Sequence, residues 1–140
     1  MELQDLVGRH VLTGVDMTRV LNKNNSVSDN FKQHRVINFI LDGITYSVVE
    51  KSSPDGYWST LEEVKISNIP VKNTFEPVQV NGAMQPNTKS IRNNIINFYD
   101  VKTGEDVLSV GAHDIDNKQS IFVAEYKPEN MCINTLEFGL

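Results

Sequence analysis

The stretch running from Val49 through Glu50, Lys51, Ser52, Ser53, Pro54, Asp55, Gly56, Tyr57, Trp58 and Ser59 to Thr60 holds the side chains best suited to gripping another molecule. Pro54 presets φ and Gly56 accepts positive φ, so Pro-Asp-Gly reads as a tight turn. Two aromatic rings follow at once, and Trp58 is the only tryptophan in the chain. Such rings stack on a flat ligand for about 1–3 kcal/mol each, or anchor a protein contact. Glu50, Asp55 and Ser59 add hydrogen-bonding groups, which makes this stretch the first candidate for ligand or partner binding. The alternative is that Tyr57 and Trp58 cover the core at a sheet end. Adjacent strand residues face opposite ways, so one ring would then be inside and the other outside.

The remaining reactive groups are sparse. The three histidines, His10, His34 and His113, show no metal-ligand spacing, and Cys132 is the single cysteine. No zinc site, no other metal and no cofactor is expected from this set. His113 and Asp114, with Asp116, form a polar cluster that could meet a cation, but it lacks the glycine and terminal glutamate of a calcium loop. His113 and Asp114 are kept as partner-binding candidates. Arg9 and His10 follow Gly8 at the start of an apolar run. They read either as an anion-binding pair or as a solvated strand start. Cys132 lies between Met131 and Ile133 and is expected to be buried and inert.

No nucleophile elbow, phosphate-binding loop or dinucleotide fingerprint is present. The carboxylate neighbours Glu62-Glu63 and Glu105-Asp106 would diverge in a strand. No catalytic residue is nominated, and binding is favoured over catalysis. A hydrolase or nuclease is left open and would require Glu50, Asp55, His113, Asp114 and Asp116 to converge.

These groups need a scaffold. A chain of 140 residues with 39% hydrophobic residues suits one domain, 1–140, able to bury its own core. The net charge of −5 argues against wrapping duplex nucleic acid. No apolar run nears the roughly 20 residues of a membrane span, and the N-terminus lacks a secretory pattern. One cysteine fits a reducing cytoplasm.

Turn signals recur about every 8–12 residues between short β-rich runs, so the expected fold is all-β, with one short helical turn at 2–7. It would be a small β-sandwich or barrel of about eight strands built from antiparallel hairpins. Asp42-Gly43 between two alternating runs predicts a type I′ hairpin. Lys102-Thr103-Gly104 closes a second hairpin. A strand is expected at 63–68. Another begins at Phe75, and Pro77 suggests that it is an edge. A loop is expected over 22–33 and a strand over 120–126. Residues 113–119 read as a loop, and 132–140 as a short terminal strand. "VINF" at 36–39 and "IINF" at 95–98 each open a hairpin, which fits a duplicated unit but more readily a chance recurrence in apolar strands. Edge strands leave homo-oligomer formation open.

The ordered segments "LVGRHVLTGVD", "LDGITYSVVE", "DGYWS", "FEPVQVNG", "DVKTGEDVLSVG" and "FVAEYKPENM" cover most of the chain outside 22–33. In these the chain resembles a family of small proteins encoded by tailed bacteriophages. That family carries no assigned activity. Its members tend to have arginine where this chain has Trp58, so a role needing a guanidinium there does not transfer. The resemblance implies a host-directed accessory protein in the host cytoplasm. It would inhibit a host defence or regulatory protein, or sequester a small nucleotide-like signal, without catalysis. A virion or structural component is the alternative.

Overall fold

Asp42 and Gly43 turn the chain between Leu41 and Ile44 with φ of 54° and 80°, as a type I′ turn requires. The register of the hairpin follows from that turn: Leu41 faces Ile44, Phe39 faces Tyr46 and Asn38 faces Ser47. The computed structural model describes residues 1–21, 33–52, 59–84, 92–114 and 120–132. Eight strands are described: β1 (Gly8–Leu21), β2 (Gln33–Leu41), β3 (Ile44–Ser52), β4 (Ser59–Ile66), β5 (Thr74–Met84), β6 (Arg92–Asp100), β7 (Asp106–Asp114) and β8 (Ser120–Tyr126). Short 3-10 turns occupy Leu3–Leu6 and Pro128–Asn130.

The strands form one antiparallel sheet in the order β4-β3-β2-β1-β5-β6-β7-β8. The all-β expectation holds, as a single sheet not closed into a barrel. Each half is a four-stranded meander, and the halves join where β1 pairs with β5. The sheet rolls so that its outermost strands, β4 and β8, approach each other.

Alternation supplies the core. Ile37, Phe39 and Leu41 of β2 share a face with Tyr46 and Val48 of β3, and meet Ile96, Phe98, Leu108 and Val110 of the other half. Leu3 and Leu6 of the N-terminal turn are buried in the same cluster. The opposite face carries polar pairs. The Ser47 hydroxyl donates to Asn38 Oδ1. At the matching place in the second hairpin, the Ser109 hydroxyl donates to Asn97 Oδ1 over 2.7 Å. "VINF" and "IINF" therefore occupy corresponding strands with corresponding partners.

Three buried or turn carboxylates tie loops to the sheet. Asp16 accepts the amides of Lys72 and Asn73. Asp100 accepts those of Lys102, Thr103 and Cys132, and Asp42 accepts that of Val11. Each satisfies amides that would otherwise lack partners beside the sheet.

Several expectations need correction. β5 is not an edge, because it lies between β1 and β6. Pro77 is tolerated there because the β1–β5 register slips between Leu12 and Gly14, and the β5–β6 ladder begins only at Val80. Proline's missing N–H falls where neither neighbour needs it. β4 begins at Ser59, not near 63, since Ser59 already pairs with Ser52. His113 and Asp114 belong to β7 and not to a loop. Cys132 is half-buried. The loop expected over 22–33 lies outside the described residues except for Gln33, which belongs to β2. The terminal strand lies outside them from 133 onward.

Candidate functional site

The last described residues before and after the aromatic stretch, Ser52 and Ser59, are register partners on β3 and β4. Asp55, Tyr57 and Trp58 themselves lie outside the described residues. What is visible is the platform from which this stretch departs.

That platform is a polar clamp across the seam of the rolled sheet. Glu50 is only 6% exposed. Its carboxylate accepts the Arg35 amide at 2.9 Å and the guanidinium at 3.3 and 3.0 Å. The guanidinium also donates to the Phe122 carbonyl of β8 over 3.1 Å. It sits 5.1 Å from the centre of the Phe122 ring, within cation–π range. The Phe122 amide donates to Ser59 Oγ over 3.0 Å. Burial pushes the Glu50 carboxyl up, but the Arg35 guanidinium and amide, with help from Ser59, outweigh it and hold the group below its ordinary value.

Glu50 and Ser59 are therefore brought together, but as structural partners. Glu50 is committed to Arg35 and does not offer a vacant carboxylate to a ligand. The sequence reading missed Arg35. The hairpin register set by Asp42-Gly43 runs out to Val36 opposite Val49, which brings the chain to within one residue of both Arg35 and Glu50. No local signal marks Phe122, which lies 87 residues from Arg35.

His113 faces Ile121, and Asp114 faces Ser120, at the starts of the β7–β8 pairing. The β7–β8 connection therefore leaves the sheet two residues from Phe122, close to the clamp. In the second hairpin, the residues that match Arg35 and Glu50 are Asn94 and Ala112, which are register partners. There the seam is hollow. A cavity of about 460 Å³ lies among Glu2, Thr60, Leu61, Glu62, Asn94 and Ala112.

Arg9 and His10 lie elsewhere. Arg9 is exposed on β1. His10 Nε2 is 2.8 Å from the Leu6 carbonyl, and Nδ1 is 2.7 Å from the Asp42 carboxylate. Both neighbours are acceptors, so the ring is held between the N-terminal turn and the β2–β3 turn. The anion beside His10 is thus the protein's own Asp42. The His10 hydrogen bond and the Val11 amide hold the Asp42 carboxyl below its ordinary value. Among the described residues, no group of three or more His, Cys, Asp or Glu side chains is placed to hold a metal. No described helix is long and apolar enough to cross a membrane.

Compared with protein-family models, curated proteins and solved structures, the chain matches none of them.

Proposed function

We propose that the protein is a phage-encoded, host-directed accessory protein that acts in the host cytoplasm by binding, not by catalysis. Its target is a host defence or regulatory protein or a small nucleotide-like signal. The contact is made by the stretch between Ser52 and Ser59, with Tyr57 and Trp58 as anchors and Asp55 shaping the turn. The observation that carries this reading is the clamp: Ser59 pairs with Ser52 and accepts the Phe122 amide, beside the Arg35–Glu50 ion pair. Ser52 and Ser59 are themselves held in place by this network, and a fixed base lowers the entropy cost of binding. The phage resemblance supports the host-directed role, and His113 follows Ala112, the register partner of Phe122.

The test has two arms. Wild-type protein and Trp58→Ala are used to capture partners from host lysate. Both are also screened by thermal shift with nucleotides and cyclic dinucleotides, since a ligand that binds only the native state raises the midpoint. A partner or ligand bound by wild type and lost in a well-folded Trp58→Ala supports the proposal. Undiminished binding by that variant rejects the aromatic contact. Metal-dependent turnover abolished by a chelator would replace binding with hydrolysis.

A further inference from the structure

The outer face of the first meander holds a trough that shares only the Glu62–Glu63 rim with the seam cavity. Its volume is about 380 Å³, within the roughly 300–1,000 Å³ range of small-molecule pockets. Asn38 and Ser47 line it, and they are only 3% and 0% exposed. Val36 and Val49, register partners beside that pair, extend the floor with apolar surface. Ile69 forms a wall and is itself 54% exposed.

The wall is built in. Ile69 belongs to the 67–73 connection between β4 and β5. Asp16 accepts the amides of Lys72 and Asn73, and the Ser67 amide donates to the Thr45 carbonyl over 2.9 Å. The connection is thereby strapped across the sheet at both of its ends.

The Asn38 amide points to a ligand. Its Oδ1 receives the Ser47 hydroxyl, and among the described residues nothing accepts from its Nδ2. Setting the amide the other way round would leave Oδ1 over instead. In either case a polar atom of a buried side chain lining the trough has no partner among the described residues, a situation native proteins avoid. The complement is a group that carries a carbonyl and an N–H side by side. The rim selects further. Lys65 is engaged by Glu63 at 3.5 Å, and Glu62 adds a second carboxylate, so phosphate is disfavoured.

We propose that this trough binds a small, uncharged cyclic amide, the chemistry shared by uracil- and thymine-type bases and by simple lactams, with the Asn38 amide as its recognition group. The ring lies against Val36 and Val49 beneath Ile69, and its amide edge meets the Asn38 amide. Asn38 belongs neither to the clamp nor to the seam cavity, so its contact is tested apart from the aromatic one.

The experiment follows the Asn38 side-chain amide resonances of the full chain during titration with uridine, 2-pyrrolidinone and, as a ring with no hydrogen-bonding group, benzene. The expected result is a saturable shift with uridine, with pyrrolidinone or with both, and none with benzene. Uridine alone would identify the source as a nucleobase, and pyrrolidinone alone as a lactam. Because Asn38→Ala endangers the fold, Ile69→Asp on the exposed connection is the second variant, and it should weaken binding at least tenfold. No shift at millimolar concentration, equal shifts with benzene, or full affinity in Ile69→Asp would overturn the proposal.

Discussion

The rings of Phe39 and Phe98 meet at the centre of the core, 6.1 Å between centroids and tilted by 55°. Each follows the asparagine of its own hairpin's Asn–Ser pair, so the contact joins corresponding positions of the two meanders. Both are fully buried. Phe39→Ala and Phe98→Ala should each cost about 3–5 kcal/mol. The double variant should be less damaging than the sum, because the two share one contact. Urea denaturation measures all three. A large cost at one position and little at the other would contradict the two-fold organisation of the core.

Arg35 and Glu50 form a pair whose partners are unequally exposed, 30% for the arginine side chain and 6% for the glutamate. Arg35→Ala strands a buried carboxylate and should cost about 3 kcal/mol at neutral pH. Replacing both residues, as Arg35→Met with Glu50→Leu, should restore much of that loss, since an apolar pair of similar volume needs no charge compensation. Unfolding midpoints of the single and double variants decide the matter.

The same pair sets an acid dependence. The folded Glu50 carboxyl lies below its ordinary value of 4.5. Between the two values the unfolded chain binds more protons, so stability rises with pH there. The contribution is complete above about pH 4.5 and disappears as pH falls through the folded value. Asp42 behaves alike below its ordinary 3.8, with a smaller effect because the group is largely exposed. Denaturation at pH 7, 5 and 3 should show wild type losing stability towards pH 3, and Arg35→Ala losing much less over the same range.

His10 links the N-terminal turn to the β2–β3 hairpin through Leu6 and Asp42. His10→Phe should lower amide-exchange protection at Val7 and Val11 and cost about 1 kcal/mol, the scale of an ordinary hydrogen bond. Asp42→Asn should have a similar effect. The pair should be non-additive in a double-mutant cycle. Unchanged exchange in both variants would show that the bridge contributes nothing in solution.

Two glycines separate strain from space. Gly43 has φ of 80°, and a methyl group there would meet no atom within 4 Å, so Gly43→Ala should cost only about 1 kcal/mol. Gly111 has φ of 149°, and its added Cβ would fall 2.1 Å from the Asn94 carbonyl oxygen. Gly111→Ala must therefore displace β6 or β7, and should cost well over the roughly 1–3 kcal/mol of ordinary overpacking. Thermal unfolding of the two variants compares them directly.

Local chemistry determined much of this molecule. Asp42-Gly43 and Gly104 adopt the positive φ their types favour, and alternation within β3 separates Tyr46 and Val48 from Ser47 and Val49. The strand at Ser120–Tyr126 is bounded as its apolar run and flanking polar residues indicate. Once a two-residue turn is known, the pairing of its strands is arithmetic, and Val36 opposite Val49, with Arg35 and Glu50 the next residues along, follows from it.

Pairings between distant segments were decided only by tertiary structure. Pro77 suggested an edge because proline cannot serve a ladder, but the register slip at Leu12 and Gly14 gave it a place inside the sheet. The meeting of Arg35 with Phe122 depends on the roll of the whole sheet, which sums small twists over eight strands. The buried Asn38 amide is invisible in an alternating run, because period two says which face a residue takes and not what covers that face. Local periodicity comes from each residue's own backbone, whereas rolling and covering come from contacts between residues far apart in sequence.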